Sequence, residues 1–176
     1  MYINKKTNMN TIKVYKWITY ILLIPTFFIA LFSLFGILFA MLNPQILIPV
    51  FIMVCIVLYN ISSFIFLRKS LINNLICKKI IKDLIKVNAI AAIIFSVLNL
   101  FQFIKIIFNK TAIETAVQDI YTQNQGNISS IFSKAQITNL FWVTTIVVAI
   151  YSILLLFHIF LSFKLIKSHA DSFLKD

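Results

Sequence analysis

A chain of 176 residues that is 61% hydrophobic and holds only two glycines, with a mean hydropathy of +0.97, has no room for a separate soluble domain, and one membrane domain accounts for it. The glycine count also excludes a phosphate-cradling loop, and no G-x-S-x-G, H-E-x-x-H or P-loop pattern occurs. The net charge of +11 would suggest nucleic acid in a soluble protein. Here its placement between apolar runs assigns it to membrane topology, with anionic lipid headgroups as a second partner and no nucleic acid.

Four apolar runs, almost empty of ionisable residues, are each long enough to cross a hydrocarbon core of about 30 Å at 1.5 Å per helical residue. They fall near 17–42, 46–67, 84–108 and 140–166. Backbone polar groups in lipid need partners within the same segment, so the runs are expected to be helices. The predicted fold is an all-α integral membrane protein, a four-transmembrane-helix bundle running up-down-up-down from two antiparallel hairpins.

Lys5, Lys6, Lys13 and Lys16 precede the first run. That run is too long for a secretory h-region, and Phe39-Ala40-Met41 offers no small-x-small cleavage site, so it reads as an uncleaved signal anchor. Pro25 removes a hydrogen bond within it and is expected to bend it. Asn43-Pro44-Gln45 then allows only a tight reversal into the second run, whose Pro49 sits harmlessly in the first turn.

The connection at 68–83 is basic, with Arg68, Lys69, Lys78, Lys79 and Lys82, and Lys86 follows it. It reads as helical extensions of the flanking spans, with a flat interfacial helix as the alternative. Leu71, Ile72, Leu75 and Ile76 are expected to share one apolar face, and Asn73-Asn74 is the expected turn, since Asn tolerates left-handed backbone.

The segment at 109–139 is the only sizeable one outside the spans. Thr111-Ala-Ile-Glu114 fits a capping box, and Ile113, Val117, Ile120 and Tyr121 follow at helical spacing, predicting a short amphipathic helix in the second outer loop. Gln123-Asn-Gln-Gly126-Asn reads as a turn, and Ile131, Phe132 and Ala135 as a helix leading into the fourth run. Lys164, Lys167 and Lys175 close the chain, and His169 in this tail reads as a solvated residue.

Basic residues thus flank the outer ends of the chain and fill the middle connection, while the other two connections are neutral or balanced. By the positive-inside rule both termini lie in the cytoplasm, which an even number of spans permits. The abundance of Ile, Lys, Asn and Phe points to an AT-rich bacterial genome, hence an inner membrane. Cys55 and Cys77 lie on different elements without C-x-x-C spacing, so free thiols are expected and no metal or other cofactor.

Polar residues within the spans are few. Asn88, Ala92, Ser96, Asn99 and Gln102 form one stripe on the third run, and Thr144, Tyr151 and His158 one face of the fourth. His158 is the one ionisable side chain deep in a span. Together Asn60, Asn88, Asn99, Gln102 and His158 make a candidate intramembrane polar cluster for a small ligand or a proton relay. The competing reading is that these groups hydrogen-bond across helices and hold the bundle together.

No Asp or Glu lies in any run, so the acid and base pair needed for catalysis is missing and no enzyme is expected. The expected role is a non-catalytic interaction, accessory or immunity-type protein acting on a membrane-protein partner through its helix faces and outer segment. A small transporter or channel, working as a homo-oligomer, is the alternative, and Lys105 near the outer end of the third run's stripe would serve it.

Overall fold

The computed structural model describes residues 9–109, 111–123, 133–170 and 173. Four of its helical segments are long and apolar enough to cross a membrane. The helices are α1 (Met9–Leu42), α2 (Leu47–Phe66), α3 (Lys79–Phe108), α4 (Thr111–Gln123) and α5 (Lys134–Ser168). Among the described residues the only β-type pairing is an isolated parallel bridge between Cys77 and Phe173. The turn expected at 124–127 and the helical start at Ile131 lie outside the described residues.

Helices α1, α3 and α5 overrun their apolar stretches, because lipid fixes where polarity changes and not where the hydrogen-bond ladder stops. The 34 residues of α1 extend about 51 Å at 1.5 Å each, well beyond a hydrocarbon core of about 30 Å. The spare turns carry Lys13 and Lys16 on α1, Lys79 and Lys82 on α3, and Lys134 and Lys167 on α5. Pro25 stands inside α1, which continues through it.

Beside an apolar core that includes Leu22, Ile56, Phe66 and Leu155, many large apolar side chains are exposed and several polar ones are buried. Phe27, Phe28, Phe32, Phe35 and Phe39 of α1 are exposed, as are Val87, Ile90 and Ile94 of α3 and Phe157 and Phe160 of α5. Thr19, Thr26, Ser33, Asn60, Ser63, Asn88, Ser96, Ser152, His158 and Ser162 are all buried. Lipid solvates the first set, and the second avoids it because an amide or hydroxyl facing hydrocarbon has no partner. On α1 the buried positions Tyr15, Ile18, Thr19, Leu22, Thr26, Ser33 and Ala40 fall along one stripe of the helix.

The chain divides into two compact units, Met1–Phe95 with Leu154–Asp176, and Ser96–Ile153. In the first, Asn43 accepts a hydrogen bond from the Gln45 backbone N–H at 3.1 Å, and a single 3-10 turn over Pro44–Ile46 returns the chain into α2. Close approach follows. A Cβ added to Gly36 would stand 2.7 Å from Cγ2 of Val50.

After Phe66 the ladder widens into a π-helical turn, Leu67–Ile72, and the Asn73 N–H reaches back to the Arg68 carbonyl at 3.2 Å. Asn74, with φ of 51°, supplies the left-handed residue that ends it. The expected apolar face of Leu71, Ile72, Leu75 and Ile76 does not form. Leu71 is buried, but helix ends at Ile72 and Leu75 and Ile76 are exposed.

The beginning of α3, the end of α5 and the returning tail complete this unit. Phe173 stacks on Phe66 with ring centroids 5.5 Å apart. That return corrects the expectation for His169, which is 4% exposed with Nδ1 3.1 Å from the Leu165 carbonyl.

In the second unit, Ile113 and Val117 of α4 are buried with Ile137 of α5, and Ile106, Phe141 and Trp142 pack against them. At the start of α4, Thr111 Oγ1 donates to Asn109 Oδ1 at 2.6 Å, so its proton is held by the side chain two residues earlier.

Candidate intramembrane polar site

His158 is 0% exposed, as is Tyr59, and Thr19 is 2% exposed. The ring of Tyr15 lies flat on the imidazole, with centroids 4.5 Å apart and 6° between planes. Thr19 Oγ1 stands 2.9 Å from His158 Nε2, and Tyr59 Oη stands 2.8 Å from Nδ1. Both ring nitrogens are therefore engaged, one by α1 and the other by α2.

The hydroxyl protons decide the tautomer. Thr19 Oγ1 donates to the Tyr15 carbonyl at 2.7 Å, and a carbonyl has no proton to return. With that proton committed, Nε2–H donates to Thr19, and in the neutral ring Nδ1 then accepts from the Tyr59 hydroxyl. Ser162, one turn along α5, donates to Tyr15 Oη at 3.2 Å and stands 2.9 Å from Tyr59 Oη. Its single proton is shared between the two phenols. The arrangement joins three helices through one histidine, and its atoms need no water or ligand to satisfy the imidazole.

In comparisons with known proteins no family model, curated protein or solved structure matches the chain. What the site can do is therefore argued from its chemistry alone.

Asn60 and Asn88, expected beside His158, are buried in the same unit. Each turns its amide back on its own helix. Asn60 Nδ2 donates to the Ile56 carbonyl at 3.1 Å, and Asn88 Nδ2 to the Leu84 carbonyl at 2.8 Å. Asn99 and Gln102 belong to the second unit, where with Phe103, Ile106, Phe141, Thr144, Thr145 and Val148 they line a cleft of about 200 Å³. Lys105 holds its ammonium 4.6 Å from the Phe101 ring centroid, a cation–π contact within α3.

Sequence reasoning missed Tyr15, Thr19 and Tyr59, which contact the imidazole, and Ser162, which bonds both tyrosine hydroxyls. A local signal did exist. Tyr15 and Thr19 on α1, and His158 and Ser162 on α5, are each four residues apart, the spacing that stacks two side chains on one face.

Proposed function

We propose that this chain is a non-catalytic accessory protein of a membrane, acting on another membrane protein through its helix faces and its segment outside the spans. The observation that carries the reading is the state of His158. The one ionisable side chain deep in a span is bonded at both nitrogens and stacked on Tyr15, which suits a lock between helices and leaves no free lone pair for acid–base work.

The contacts of the first unit support an up-down-up-down bundle. Tyr15 meets Phe66 and Tyr20 meets Phe64, while Gly36 faces Val50, so rising positions on α1 pair with falling positions on α2. Thr19 with His158, and Tyr15 with Ser162, repeat that inverse order between α1 and α5. The positive-inside rule then puts both termini in the cytoplasm and α4 outside, in a bacterial inner membrane.

There α4 has one side held by Ile113 and Val117 and another that exposes Glu114, Thr115, Gln118 and Asp119. This amphipathic helix would offer a fixed polar surface to a partner. Extraction from its native membrane in mild detergent tests the role. A stable particle containing this chain and a second polypeptide, lost on Glu114→Lys with Asp119→Lys, is the expected result; a homo-oligomer alone would overturn it.

One observation favours a second reading, a small oligomeric transporter or channel. The cleft lined by Asn99, Gln102, Thr144 and Thr145 offers polar groups that copies of the chain could join into a path.

A further inference from the structure

In the first unit, α3 and α5 leave between their lysine-bearing ends a cleft of about 350 Å³, lined by Lys82, Lys86, Phe163, Ile166, Lys167 and Ala170. None of these six is acidic. Lys82 and Lys86 are one turn apart on α3, Phe163, Ile166 and Lys167 share one face of α5, and Ala170 follows its end. We infer that this cleft is a binding site for the phosphate headgroup of an anionic lipid, held by Lys82, Lys86 and Lys167.

Positive-inside topology needs basic residues at this end but does not need them to converge. Here lysines from two helices line one cleft together with Phe163, Ile166 and Ala170. The apolar wall continues toward the bilayer. Phe163 is 38% exposed at the cleft, Phe160 is 65% exposed one turn deeper on α5, and Ile90 is 60% exposed one turn beyond Lys86 on α3. Ammonium groups at the mouth and exposed aromatic and aliphatic side chains on the membrane side match a lipid with one phosphate and acyl chains, and a free anion would leave the apolar wall unused. Lys82 also stands 5.7 Å from the Phe173 ring centroid, which fixes one cation beside the returning tail. The site requires only that these helices span a membrane, and not the accessory role.

The test compares purified protein in a neutral detergent with added phosphatidylglycerol, phosphatidylcholine or inorganic phosphate, read by thermal stability and by lipid retained in native mass spectrometry. Phosphatidylglycerol alone should raise the melting temperature and remain bound. Replacing Lys82, Lys86 and Lys167 by Gln should weaken its apparent affinity by about tenfold or more, whereas replacing Lys13, Lys16 and Lys78 by Gln should leave it unchanged. Arginine at the three cleft positions should retain binding, and Lys86→Gln alone serves if the triple variant does not fold. Equal loss in both glutamine triples would reduce the effect to net charge and overturn the site, as would equal stabilisation by inorganic phosphate or by phosphatidylcholine.

Discussion

Nε2 of His158 on α5 donates to Oγ1 of Thr19 on α1 across 2.9 Å, between residues 139 positions apart. Because Thr19 has already given its proton to the Tyr15 carbonyl, this bond sets the tautomer and so sets Tyr59 as the donor to the other nitrogen. Thr19→Val removes the acceptor and leaves a buried N–H unpaired. The expected loss is about 0.6–1.7 kcal/mol, the range found for hydrogen bonds between membrane helices. Equilibrium unfolding in mixed micelles measures it, and a double-mutant cycle with His158→Phe isolates the pair.

His158→Phe alone keeps a ring against Tyr15 but removes Nδ1, which stands 2.8 Å from the Tyr59 hydroxyl. A cost of about 1–3 kcal/mol is expected. Adding Tyr59→Phe should recover part of it, since the hydroxyl that lost this bond is then gone. If the single variant is as stable as the parent and a transport activity disappears, His158 is a ligand or proton site and not a lock.

Gly36→Ala would bring a Cβ to 2.7 Å from Cγ2 of Val50. Valine is stiff at χ1 and Val50 is 8% exposed, so the contact has little room to relax. A loss of about 1–3 kcal/mol is expected by overpacking, with recovery on combining it with Val50→Ala. An undiminished melting temperature for Gly36→Ala would show that α1 and α2 do not meet there.

Four long helices were legible in the sequence because lipid imposes the same rule on every residue of a span, and an unbroken apolar run satisfies it. The helical extension of the third span back to Lys79 was legible too, but the extra turns of α1 from Met9 were not, since hydropathy marks where the apolar stretch begins and not where the helix does. Asn74 was found because left-handed backbone has a residue preference. The neighbours of His158 were hidden for a different reason: the four-residue spacing of Tyr15 and Thr19 puts them on one face but does not say which helix that face meets, and Tyr59 reaches the imidazole only through helix packing. His169 was misread because a short tail after the last lysines looks solvated until Phe173 is seen to return onto Phe66.

Cys77 sits under that return and is 0% exposed. Burial pushes its thiol up from the ordinary range, opposed in part by the charge of Lys69 and a backbone hydrogen bond at Ser70. With the folded pKa above the unfolded one, the thiol's contribution to stability is present below the unfolded pKa and is lost as pH rises through the folded one. In a Cys55→Ala background, maleimide labelling of Cys77 should be slow and should accelerate at higher pH than in the denatured chain. Phe173→Ala, which uncovers it, should speed labelling by about tenfold or more at constant pH, as exposure and thiolate fraction both rise.

The accessory role rests on the topology read from the charges, with the basic connection at 68–83 and the segment at 109–139 on opposite sides of one membrane. Single cysteines at Lys78 and Thr122, in a chain otherwise free of cysteine, test it with a membrane-impermeant maleimide on intact cells. Labelling at position 122 in intact cells, with labelling at 78 only after permeabilisation, is the predicted result. Equal labelling of both positions in intact cells, or labelling at 78 alone, would contradict it.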